Sequence, residues 1–178
     1  MTRATALSLH ELAFLCGGSR RAVLTGVLAL CQSGQLELNG TRVYRLDDGW
    51  TELEPVERAV LDVVPVAGVQ LSSLIAAVER SDAVRATRGR LAALGLALRW
   101  PLTGLTAAGR RVRREAAVMP AEGLRRIALL GPDAIPDAEL RRAFTSAPTS
   151  TPARVQPDAV DTLVVRMRLS PYSTSRPA

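Results

Sequence analysis

Lysine is missing from this 178-residue chain, whose 23 cationic residues are all arginine. Together with the abundance of Ala, Leu, Val and Pro, this reflects coding by a GC-rich genome as much as selection for guanidinium chemistry. The formal charge of +6 is therefore only a weak pointer to a polyanionic partner. Aromatic residues are scarce, at 3%, so the core must be built from Leu, Val and Ala, which favours a mainly α fold. Histidine occurs once, at His10. A Ser or Cys nucleophile would have to rely on that residue alone for its base, and no ligand cluster for a metal can be assembled around it. Cys16 and Cys31 are too far apart for a metal knuckle or a redox C-x-x-C pair, and both sit among apolar residues. They read as buried thiols in a reducing compartment.

Long apolar runs are lacking too. The two longest, Ala22 to Leu30 and Ala59 to Val69, are interrupted by Thr25 and Gly26 or by Asp62 and Pro65, and neither nears the ~18 residues of a membrane span. Glu11 cuts short the apolar stretch that a signal peptide would need. A soluble, cytoplasmic chain without a membrane span is expected. Its charge is uneven: Arg against Asp plus Glu stands at 5 to 6 in residues 1–54, 10 to 5 in 55–118 and 8 to 6 in 119–178.

What is present is helical spacing with clear stops. Leu7, Leu9, Leu12, Phe14 and Leu15 make an amphipathic helix with Ser8 as N-cap and Glu11 completing a capping box. Gly17 and Gly18 stop it. Ser19 is then expected to cap a second helix with Val23, Val27, Leu30 and Cys31 on one face. Gln35 to Leu46 alternates apolar and polar residues about Asn39-Gly40, which predicts a hairpin with those two residues in the turn. Pro55 fits the first turn of the next helix, with Val56, Ala59, Val60 and Val63 along one side until Pro65.

The stretch from Val69 to Glu115 repeats the pattern. A helix opening at Gln70 or Ser72 carries Leu71, Leu74, Ile75 and Val78, and Ser81-Asp82 forms the turn. A third run spans Asp82 to Leu94, a β-like segment covers Leu96 to Trp100, and L-T-A-A-G-R-R-V-R-R opens a further helix. Leu71, Leu74, Val84 and Leu91 fall under Leu9, Leu12, Val23 and Leu28 of the first stretch, which suggests a tandem repeat. Helix, turn, helix and hairpin is the order of a winged helix-turn-helix unit. Beyond it, Leu124 to Leu130 reads as a short helix and Asp137 as the start of a last one. From Thr145 a Ser-, Thr- and Pro-rich segment predicts a disordered tail, with Leu163 to Leu169 as either an added edge strand or a sticky segment.

Four segments, L-S-L-H-E-L-A-F-L-C-G-G-S-R-R-A-V, P-V-E-R-A-V-L-D, L-T-A-A-G-R-R and L-L-G-P-D-A-I-P-D-A-E-L, resemble a poorly characterised domain family of bacterial proteins from high-GC genomes. The likeness covers roughly residues 7–144. Members are often membrane-attached, with this region before a hydrophobic segment, and the resemblance carries no catalytic residues with it. After Phe144 this chain departs from the family, entering its Pro/Ser/Thr segment instead of an apolar one. L-T-A-A-G-R-R also resembles the segment after the wing in winged-helix transcription regulators.

The chemistry-bearing candidates are basic. Arg85, Arg88 and Arg90 lie on the third run of the second unit, and Arg110, Arg111, Arg113 and Arg114 on the helix after its wing. In a winged helix-turn-helix protein the third helix would enter the major groove, where Arg can donate to guanine or to phosphates, making the middle segment the footprint. The competing reading is a solvated helix face. Asn and Gln partners for base readout are few, and the first unit's equivalent helix has only Arg20 and Arg21 at its start, so DNA binding would lean on phosphates. Cys16-Gly17-Gly18-Ser19 reads as a turn and cap rather than an anion site, and Asp133 and Asp137 read as helix caps. The expected architecture is mainly α with short β-hairpin wings: a winged-helix-like unit in 1–54, a second in 55–118, a helical extension in 119–144 and a tail in 145–178. The expected function is a non-enzymatic protein-interaction or scaffolding module without cofactor or metal, cytoplasmic or held at a membrane by its partner. The alternative is a regulator that binds duplex DNA through the basic second unit.

Overall fold

The computed structural model describes residues 7–46, 52–98 and 104–145. The capping box at Ser8 forms as the spacing predicts: Ser8 Oγ accepts from the Glu11 N–H at 3.3 Å and the Ser8 N–H donates to Glu11 Oε2 at 2.9 Å. It opens α1 (Leu9–Gln32), which is two helical segments joined across a break at Gly17 and Gly18. Gly18, at φ 75, occupies the left-handed region that other residues enter at a cost. Ser19 turns its hydroxyl across the molecule, donating to Glu79 Oε1 at 2.8 Å.

The hairpin follows as β1 (Leu36–Asn39) and β2 (Arg42–Arg45), but its turn is one residue later than expected. Asn39 pairs with Arg42, so Gly40 and Thr41 occupy the turn, and Gly40 at φ 57 supplies the positive dihedral. A third strand was not foreseen from the sequence. β3 (Val69–Gln70) pairs antiparallel with β2, Val43 opposite Val69 and Arg42 opposite Gln70, giving the sheet order β1-β2-β3. Two residues are too few for an alternation signal, so only the partner strand makes β3 a strand.

Between them runs α2 (Pro55–Val63), with Pro55 in its first turn. Then come α3 (Leu71–Val78), α4 (Asp82–Ala93), α5 (Ala107–Val118), α6 (Gly123–Leu130) and, after a 3-10 turn at Pro132–Ala134, α7 (Ala138–Thr145). Ser81 Oγ accepts from the Val84 N–H at 3.4 Å to cap α4. Asp137 Oδ1 accepts from Glu139 and Leu140 at 2.8 and 3.1 Å, the expected cap of α7. Thr145, the first residue of the expected tail, still belongs to that helix; residues 146–178, including Leu163 to Leu169, lie outside the described residues. Of the β-like segment Leu96 to Trp100, the described part makes one bridge, Ala97 to Leu105. Arg99 and Trp100 lie outside the described residues.

Two apolar clusters meet on α1. Its second segment contributes Val23, Val27 and Leu30 to a core shared with Leu36, Val43, Val60, Leu74, Ile75 and Phe144. Its first segment places Leu12, Leu15 and Cys16 against Leu91, Leu96, Val112, Ala116 and Leu129. Packing therefore runs across residue 54/55, and residues 119–144 supply core side chains. Phe144, 1% exposed, contributes on the order of 1.5–3 kcal/mol by its burial. The molecule is mainly helical with a small three-stranded antiparallel sheet. Among the described residues α1 alone is long and apolar enough to cross a membrane, with a mean hydropathy of 1.3. Glu11, Arg20 and Arg21 hide this from a reading by unbroken runs. Its apolarity has a local cause, because neighbouring helices enclose both segments.

Candidate interaction surface

The seven arginines singled out by the sequence fall on two helices in different circumstances. On α4, Val84 and Leu91 face the core, and Arg88, one turn from Val84, lies half-buried on that same side. Arg85 is exposed and held by Asp82, with Nε donating to Oδ1 at 3.2 Å. Arg90 Nε lies 2.7 Å from Glu11 Oε1 on α1. That contact is an ion pair by distance without hydrogen-bond alignment, and it matches an exposed guanidinium to a carboxylate that is 4% exposed. The solvent side of α4 is completed by Ala86, Gly89 and Ala93.

On α5 the L-T-A-A-G-R-R segment has a physical account. Thr106 Oγ1 accepts from the Gly109 N–H at 3.0 Å, capping the helix, and donates to Gly95 O at 2.6 Å. Gly109 faces inward, and a Cβ there would overlap the Leu96 carbonyl oxygen, so glycine sets how closely α5 approaches the preceding chain. Gly109, Val112 and Ala116 bury one side. Arg110, Arg111, Arg113 and Arg114 are all exposed. Arg110 Nη1 donates to the Leu105 carbonyl at 2.8 Å. Among the described residues, no ion pair or hydrogen bond engages the side chains of Arg111, Arg113 or Arg114.

α4 and α5 both dock on the first segment of α1. Arg90 meets it at Glu11, whereas the Arg113 charge is felt at Cys16. Leu91 of α4 and Val112 and Ala116 of α5 join one apolar cluster with Leu12, Leu15 and Cys16 of α1. Burial pushes the Cys16 thiol pKa up, and Arg21 and Arg113 partly offset this. Burial alone pushes the Cys31 thiol up to about 12. Both cysteines are free thiols.

Two residues whose structural role the spacing did not show are tied into the packing. Arg21 Nη1 donates to Leu129 O at 2.7 Å, closing the C-terminus of α6. Its side chain runs past Gly17 and Gly131, where a Cβ would collide with it, at 2.8 Å from Nη2 in the case of Gly131. Burial holds its pKa below the usual arginine value, with the Arg113 charge acting in the same direction. His10 is 2% exposed, with neither ring nitrogen hydrogen-bonded. Nε2 lies 3.6 Å from Glu57 and Nδ1 3.8 Å from Glu54, both on the N-terminal end of α2. Desolvation lowers the His10 pKa and Glu57 partly restores it. A lone histidine on a helix carries no such signal in sequence.

A depression lined by Arg21, Leu24, Thr25, Ile127, Ile135 and Phe144 holds about 10 Å³, roughly one water. Among the described residues, no group of three His, Cys, Asp or Glu is placed to hold a metal ion. Asp133 and Asp137 belong to the 3-10 turn and the α7 cap.

Comparison with family models, with curated proteins and with solved structures returned no match.

Proposed function

We propose that this chain is a non-enzymatic protein-interaction or scaffolding module. The observation that carries the reading is the state of α4. A DNA reader would set this helix in the groove, yet Arg90 is committed to the buried Glu11 carboxylate and Arg88 sits on the core side. Arg85 is paired with Asp82, which is 95% exposed and would turn a negative charge toward phosphates. Freeing Arg90 would leave the Glu11 carboxylate, 4% exposed, without this exposed cation, a modest cost because solvent screens the guanidinium.

The architecture we propose is winged-helix-like. Supporting it are the tight turn between α3 and α4, the Ala97–Leu105 bridge before α5 and the hairpin after α1. The β2–β3 pairing would join the two units through one sheet. We place the module in the cytoplasm, with any membrane association arising through its partner.

A DNA-binding regulator is the second reading, favoured by the exposed arginines of α5 alone. A titration with mixed-sequence duplex DNA across a salt series, beside affinity purification from the native host, tests the two. Tight DNA binding that weakens steeply with salt, with no specific protein retained, would overturn the module reading.

A further inference from the structure

We propose that the outward side of α5 is the docking surface and that its partner is an acidic amphipathic helix of another protein. This rests on the interaction-module reading and assigns it a surface.

Ala107, Arg111, Arg114 and Val118 recur at intervals of four, three and four, the spacing of one helix face. All four are exposed, Val118 at 84%. Arg110 and Ala117, also exposed, adjoin this stripe. The opposite side of α5 is anchored by Gly109, Val112 and Ala116, so the stripe is a ledge that cannot turn inward. It combines guanidinium groups at its centre with small or apolar side chains at both ends. Among the described residues, no carboxylate pairs with Arg111 or Arg114.

Each property narrows the partner. Ala107 and Ala117 let another helix approach closely, where interaxial distances are about 8–10 Å. Arg forks suit carboxylates, and Val118 offers an apolar end contact. A partner helix with Glu or Asp in the middle of its face and apolar residues at the ends complements the whole stripe. Duplex DNA matches it less well: the stripe has no amide, hydroxyl or aromatic side chain for bases, and DNA would set phosphates against Val118. An anionic membrane matches it less well also, because apart from Val118 no large apolar side chain stands ready to enter lipid.

The test uses the full chain and a stapled helical peptide with Glu at i, i+3, i+4 and i+7 flanked by Leu. Controls are a scrambled peptide of the same composition, a mixed-sequence DNA duplex and phosphatidylserine vesicles. The periodic peptide should bind at least about tenfold tighter than the scrambled one. R111E/R114E should lose at least about tenfold in affinity and gain binding to a Lys version of the peptide. Both arginines are exposed, so the variant should melt like the parent, and its thermal transition checks this. Equal binding of the two peptides, undiminished binding by R111E/R114E, or preferential binding of DNA or vesicles would overturn the proposal. If a partner copurifies equally with the parent and R111E/R114E, the module reading stands and α5 is not its surface. If none copurifies, the module reading itself fails.

Discussion

Arg90 on α4 and Glu11 on α1 lie 2.7 Å apart, and Glu11 simultaneously accepts the Ser8 N–H that completes the capping box. One buried carboxylate thus joins the first turn of α1 to the helix that the alternative, DNA-binding reading would set in the major groove. Glu11→Ala should cost about 2 kcal/mol, combining loss of the cap with loss of the ion pair. Arg90→Ala should cost about 1 kcal/mol, since the guanidinium is largely exposed and solvent screens it. Urea denaturation measures both. A neutral outcome for Glu11→Ala would mean the carboxylate is dispensable.

Glycines on the two arginine helices should respond oppositely to alanine. Gly109→Ala places a methyl group into the Leu96 carbonyl, which the backbone cannot absorb without moving α5. A loss of several kcal/mol, about 3 or more, is expected from such overpacking. Gly89 has open space around it, so Gly89→Ala should stabilise by up to about 1 kcal/mol through helix propensity. Thermal melting compares the two, and similar shifts would contradict this packing of α5.

His10 predicts an acid limb to stability. Its folded pKa is lowered below 6.5, mainly by desolvation. Between the two pKa values the unfolded chain binds the proton and the folded chain does not. Stability from this residue is therefore full above pH 6.5 and falls as pH drops from there toward the folded pKa. Glu57→Gln removes the charge that raises the folded pKa and should widen that window. His10→Gln should flatten it. Denaturation midpoints followed from pH 7.5 to 5 (about the range in which histidine titrates) test this, and an unchanged slope in His10→Gln would show that other groups set the limb.

Any association with duplex DNA should run through α5. Each phosphate contact contributes about −0.9 to the slope of log affinity against log salt. The four α5 arginines then permit a slope no steeper than about −4. Replacing Arg111 and Arg114 should flatten it, while Arg85→Ala should leave it nearly unchanged. A steeper slope would show that arginines outside α5 also meet phosphate.

Much of this molecule was legible from short spacings. Ser8 with Glu11, Ser81 with Val84 and Asp137 with Leu140 each act across three residues. The chain determined them by itself, because capping is satisfied within a single turn. Helix periodicity and the near absence of aromatic residues likewise determined a mainly α fold. The hairpin was legible too, but its turn shifted by one residue, since pairing across the ladder outweighs turn preference. Only tertiary structure decided the rest. Arg21 reaches Leu129 across 108 residues, β3 exists because β2 lies beside it, and His10 is buried because α2 covers it. These outcomes depend on which surfaces meet in space. For the same reason, equal-looking arginine runs diverged: the face opposite each helix's buried side decides which guanidinium groups remain free.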